Sequence, residues 1–133
     1  MIWHLVIEGP PSTKKNSQQL GQMGKKCPAC GRARMGIFPS QDYRKWERSA
    51  LKQLAPQWHD PPLGSKDQIL WVRAVFYLGK RQRPDLTNLE EAVGDLLEKA
   101  EVITNDYWIG SWDGSRKAKD WDRPRVEIQL RLM

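Results

Sequence analysis

The sequence predicts an α+β fold of two layers, in which a mixed β-sheet of about four strands carries helices packed on one side. Stretches suited to strands stand at both ends and in the middle of the chain: Met1 to Glu8, Gln68 to Leu78 and Val126 to Leu132. Between them, Ser40 to Leu54 and Asp85 to Ala100 repeat apolar residues at steps of three and four, the period of an amphipathic helix. At 133 residues the chain is expected to form a single domain, 1–133, able to bury about two-thirds of its unfolded surface without disulfides.

The first strand ends at the breaker Gly9-Pro10-Pro11. From Gly9 to Gln41 there is no Asp or Glu, and Lys14, Lys15, Lys25, Lys26, Arg32 and Arg34 all lie there. We read 9–39 as a long basic loop that clamps phosphates, with Asn16 beside the lysines, against the plainer reading of a solvated insertion. Within it, Cys27 and Cys30 form one C-x-x-C. That is half a zinc ribbon, which a second copy across a two-fold axis would complete to four thiolates; otherwise it is a turn with two reduced thiols.

In the next helix Ser40 is the N-cap, Asp42 is in the first turn, and Tyr43, Trp46, Ala50 and Leu54 share one face before Pro56. Arg44, Lys45, Arg48 and Lys52 occupy the other face, a solvated one or part of a DNA surface. Ala55 to Ser65 is a Pro- and Gly-rich connection, and Gln68 to Leu78, rich in β-branched and aromatic residues, is a central strand. It leads into the basic cluster Gly79 to Arg83. Tyr107 to Trp112 suits another strand, and Val126 to Leu132 closes the sheet with Val126, Ile128, Leu130 and Leu132 inward. Of the seven tryptophans, Trp46 and Trp71 read as core, whereas Trp108, Trp112 and Trp121 lie among basic residues, suited to base stacking or to a dimer interface.

Twenty-two Lys plus Arg against sixteen Asp plus Glu leave a net charge of +6, which favours a polyanionic partner. Ile2 to Ile7 is too short and polar for a signal or membrane anchor, so a soluble cytoplasmic protein with no membrane partner is expected.

The chemistry concentrates in Arg83 to Asp106, which carries Asp85, Asn88, Asp95 and Asp106. Leu86, Leu89, Val93, Leu96, Leu97 and Ala100 define the inward face of its helix. A helical wheel places Asn88, Asp95 and Lys99 at the edge of that face and leaves Glu90, Glu91 and Glu98 to solvent. Asp85 precedes the helix and Asp106 follows it, and the two are expected to converge at one end of the unit. The same residues also suit a plain cap and a plain turn. A small basic protein acting on a phosphodiester without an evident nucleophile points to Mg²⁺, with Mn²⁺ as a substitute and no small-molecule cofactor. Asp85 and Asp106 would anchor the metal, Asn88 or Asp95 would orient those two carboxylates or a bound water, and Lys117 would offset charge on the phosphate. Arg81, Arg83, Arg116 and Lys119 add to the phosphate-binding surface. There is no G-x-x-x-x-G-K-[ST] or H-E-x-x-H, and two histidines far apart argue against a Ser or Cys triad.

The order of strand, basic K-K-N loop, helix, strand, R-P-D-L-x-N, helix, acidic turn and final P-R-V strand resembles the RusA family of Holliday-junction resolvases, common in prophages. The resemblance implies a homodimeric, Mg²⁺-dependent endonuclease making paired cuts at four-way DNA junctions. It places the first acid of a D-x-D-N motif on Asp85, its Asn on Asn88, a helix acid on Asp95, and the second acid of a later pair on Asp106. The chain departs from that pattern at Thr87 and Asn105, neutral oxygen donors where acids are expected, and at Glu91, where a lysine is expected. Two other readings stay open: a non-catalytic junction- or single-strand-binding protein on the same scaffold, and a zinc-stabilised interaction module built around Cys27 and Cys30.

Overall fold

The computed structural model describes residues 1–14, 18–23, 28–32 and 34–133, and of 18–23 and 34–39 the backbone alone. The central strand β4 (Leu70–Leu78) lies antiparallel to β7 (Arg125–Leu132), which in turn pairs antiparallel with β1 (Trp3–Glu8). On its other side β4 pairs in parallel with two short segments, β5 (Ile109–Ser111) and β6 (Arg116–Lys119). The result is a five-stranded mixed sheet, one strand more than the sequence suggests, with β5 and β6 sharing one edge.

The basic stretch expected to be a long loop contains structure of its own. β2 (Gln18–Met23) and β3 (Arg34–Pro39) pair antiparallel as a separate two-stranded ribbon. Gly21 and Gly36 interrupt the two strands, β2 is largely polar and β3 ends on Pro39, so neither carries the clean apolar alternation that identifies a strand with a buried face.

Alternation sets which face of the main sheet is covered. Leu5 and Ile7, then Leu70, Val72, Ala74 and Phe76, then Val126, Ile128 and Leu130 are buried at every second position, as a sheet with one packed face requires. Leu132, expected inward, is exposed near the chain's end. Trp71, expected in the core, falls on the other parity of β4 and stands half-buried on the open face, where Arg131 lies 4.6 Å from its ring centroid.

Helix α1 (Gln41–Leu54) begins as predicted, with Ser40 Oγ accepting a 3.2 Å bond from the Tyr43 N–H, and buries Tyr43, Trp46, Ala50 and Leu54. It also seals the free edge of β1. Gln57 exchanges bonds of 2.9 and 2.7 Å with the Val6 backbone, and Gln53 exchanges bonds of 2.6 and 3.0 Å with the Glu8 backbone. Two glutamine amides thus stand where a further strand would pair. Helix α2 (Leu86–Lys99) buries Leu89, Ala92, Val93, Gly94, Leu96 and Leu97 against the sheet, each large side chain contributing roughly 1.5–3 kcal/mol. Among the described residues, no helix is long and apolar enough to cross a membrane.

Candidate active site

The site is built by the way α2 stops. Ala100 is its C-cap, Glu101 takes a left-handed conformation (φ 59°), the Val102 N–H reaches the Leu97 carbonyl at 2.9 Å, and the Glu101 N–H reaches that of Glu98 at 3.1 Å. This is a Schellman motif with glutamate where glycine is usual. The reversal buries Val102 and Ile103, and Thr104 ties the chain to the next loop through a 2.8 Å bond from its hydroxyl to the Gly64 carbonyl. The backbone then runs back along the helix.

Asp106 consequently lies beside the middle of α2. A Cβ built on Gly94 would sit 3.4 Å from the Asp106 Cβ, an ordinary contact distance, so Asp106 lies against the helix at this residue. The Asp106 N–H donates to Glu98 Oε1 at 3.1 Å, and Asn105 Oδ1 accepts from the Tyr107 N–H at 2.8 Å, capping a 3-10 turn, Asp106–Trp108. The stretch expected to be a strand from Tyr107 to Trp112 is therefore this turn followed by the short β5. Thr87, Glu90, Glu91, Gly94, Asp106, Ile109 and Trp112 line a groove of about 190 Å³ between α2 and β5. Burial, then the neighbouring Glu98 and Asp95 carboxylates, push the Asp106 carboxyl above its ordinary pKa, and burial raises that of Glu90.

Asp85 is the N-cap of α2, though its side chain makes no capping bond, and the Asn88 amide donates to its Oδ2 at 3.5 Å. Lys117 reaches the same place. In β6, Lys117 is paired with Phe76 on the helix-covered face and Arg116 with Val75 on the open face, and Lys117 Nζ donates to the Pro84 carbonyl at 3.1 Å. Asp85 and Asp106 thus occupy different levels of α2 instead of meeting at one end. Nine residues separate Asp85 from Gly94, which is roughly 13 Å along the axis.

Asp95 points to the opposite edge, where it pairs with Lys14 at 3.3 Å, while Lys99 pairs with Glu47 of α1 at 2.8 Å. Glu91 is exposed, as the wheel predicts, and stands at the rim of the groove, whereas Glu90 and Glu98 are half-buried, Glu98 on Asp106. Trp112, one of the tryptophans suited to base stacking or a dimer interface, is half-buried in the same groove wall.

Arg32, Arg81, Arg83, Arg116, Lys117 and Lys119 are exposed. So are Arg44, Lys45, Arg48 and Lys52 of α1, none of them in an ion pair among the described residues. Lys15, Asn16, Lys25, Lys26 and Cys27 lie outside the described residues, and of Arg34 only the backbone, in β3, is described. Cys30 is exposed in the turn that precedes β3. Among the described residues, no three of His, Cys, Asp and Glu are grouped closely enough to hold a metal ion by themselves.

No curated protein matches the chain. The family model described as endodeoxyribonuclease RusA matches residues 19–131, from the β2–β3 ribbon through both helices to the penultimate residue of β7. The chain with this carboxylate groove therefore belongs to the RusA endodeoxyribonuclease family, whose members resolve Holliday junctions.

Proposed function

We propose that this protein is a Mg²⁺-dependent endonuclease that cuts branched DNA in symmetric pairs as a homodimer. The observation that carries the reading is Asp106 docked on Gly94, facing Thr87, Glu90 and Glu91 across one groove in a chain of net charge +6. The donor set fits the metal: carboxylates, a hydroxyl and nearby amides are hard oxygen donors. One or two carboxylates suffice for Mg²⁺ when waters and substrate oxygens fill the remaining positions. When bound, Mg²⁺ polarises the scissile phosphate and eases deprotonation of the attacking water.

The chain's own residues do the rest. Asp106 and Asp85 are the principal carboxylates, and Thr87, Asn88 and Asn105 are neutral oxygen donors between and beside them. Lys117, held at Pro84 O, presents a cation next to Asp85, where charge grows on a phosphate during cleavage. Asp95 positions Lys14 on the α1 side. Arg32, Arg81, Arg83, Arg116 and Lys119 hold phosphates and carry no sequence information. A junction with two-fold symmetry calls for two such sites, hence the homodimer.

The test is cleavage of a labelled four-way junction by wild type, Asp85→Asn and Asp106→Asn, with and without Mg²⁺, and with binding followed separately. Paired nicks that need the metal and both carboxylates are expected, with binding retained in the variants and weakened by salt. Tight binding without cleavage by wild type, in Mn²⁺ as well as Mg²⁺, would leave a junction-binding protein on a nuclease scaffold.

A further inference from the structure

We infer that Glu91 is the second carboxylate of the cation site at Asp106, reaching back over the Thr87 turn to bring the charge that threonine lacks. The inference rests on the metal-dependent reading above and gives a ligand's role to a position where the family pattern has a lysine.

Three observations combine. Glu91 and Asp106 line the same groove, together with Thr87. Residues 87 and 91 are four apart on one helix, and side chains tilt toward the N-terminus of their helix, so a residue covers the surface over the turn before its own Cα. A glutamate at 91 therefore serves the space above residue 87. Finally, Gly94 follows Glu91 by three residues and lacks a Cβ, so the floor between Glu91 and Asp106 is bare backbone.

The chemistry agrees. Asp85 belongs to the start of α2, roughly 13 Å along the axis from Gly94. An ion at the Asp106 level would therefore have Asp106 and Glu91 as its carboxylates and the Thr87 hydroxyl as a neutral donor, with positions left for water and phosphate oxygens. The competing role for Glu91 is structural: it makes a surface contact of its own and, in the N-terminal half of α2, favours the helix dipole. Under that role, Glu91→Gln would shift stability slightly and leave metal affinity alone.

The experiment is a Mn²⁺ titration followed by the paramagnetic resonance signal of the free ion, on wild type, E91Q, D106N and the double variant T87D/E91Q. Melting without metal is measured in parallel to establish that each is folded. E91Q is expected to weaken Mn²⁺ binding by at least about tenfold, and T87D/E91Q, which moves the carboxylate one turn back, is expected to restore most of it. Wild-type affinity in E91Q, or no Mn²⁺ binding by wild type, overturns the inference. A loss in E91Q that T87D leaves unrestored overturns the claim that position 91 stands in for 87. Junction cleavage with Mn²⁺ affinity unchanged in E91Q would overturn this inference alone. Mn²⁺ binding that depends on Glu91, without junction cleavage, would overturn the nuclease reading alone.

Discussion

The two edges of α2 carry charge to opposite ends. Toward α1, each helix charge meets its opposite: Asp95 with Lys14 at 3.3 Å and Lys99 with Glu47 at 2.8 Å. Such partly exposed pairs are worth about 0–1 kcal/mol each, and they join elements distant in sequence. Toward β5, acid is set against acid. Asp106 bonds through its N–H to Glu98, and its carboxyl binds its proton more tightly because of burial, Glu98 and Asp95. The first edge spends its charges on assembly. The second holds a concentration of negative charge that a bound cation would relieve, and perturbed groups of this kind gather at functional sites.

Substitutions that exchange the characters of the two edges test this difference. The largest effect is expected on cleavage: D106N should lower single-turnover junction cutting by on the order of 10²–10³. D95N, which frees Lys14 and removes only a distant charge from Asp106, should lower it by about tenfold or less. Equal losses would erase the distinction between the edges.

Stability should respond less. Gly94→Ala adds a Cβ at ordinary contact distance from Asp106 Cβ (3.4 Å) while removing a mid-helix glycine. Thermal unfolding should therefore show a gain of up to about 1 kcal/mol. A loss would mean that the close approach of Asp106 tolerates no side chain at all. On the paired edge, Lys99→Met should cost about 0–1 kcal/mol in urea unfolding, less in high salt.

The smallest effect has a defined sign. The folded-state pKa of Asp106 lies above the ordinary 3.8, so in that window the folded chain holds more protons than the unfolded one and stability falls as pH rises. D106N should therefore melt higher than wild type at neutral pH, and the difference should vanish in acid, where the native carboxyl is protonated too. A D106N variant less stable than wild type at neutral pH would show that the acid edge is favourable to the fold.

Much of this was readable from residue order, for physical reasons that vary along the chain. Both helices were visible because an apolar stripe at the helical period coincides with stops at Pro56 and after Ala100, and Ser40 caps the first as its chemistry suggests. β4 and β7 were visible because one face is buried at every second residue. β6 was not: Arg-Lys-Ala-Lys has no apolar alternation, and it pairs because Gly114, at φ 89°, and Ser115, whose hydroxyl accepts from the Ala74 N–H at 3.0 Å, turn the chain back onto β4. Nor was the level of Asp106 readable. It depends on Glu101 adopting a conformation that nothing in a glutamate announces, and on Gly94 being an approach point for another segment. Trp71 was misplaced because its size was weighed above its parity on the strand.

The glutamine seal on β1 bears on how two copies can meet. A strand with unsatisfied backbone groups at the rim of a sheet invites a second copy to continue it, in ordered dimers and in aggregates alike. Here Gln53 and Gln57 occupy that rim at Glu8 and Val6, and the opposite rim is broken between β5 and β6. Sheet continuation is thereby blocked at one side and interrupted at the other, which directs the proposed two-fold pairing to a face of the molecule. The same two amides act as a guard during expression: replacing both with alanine would bare the rim and should appear first as concentration-dependent precipitation.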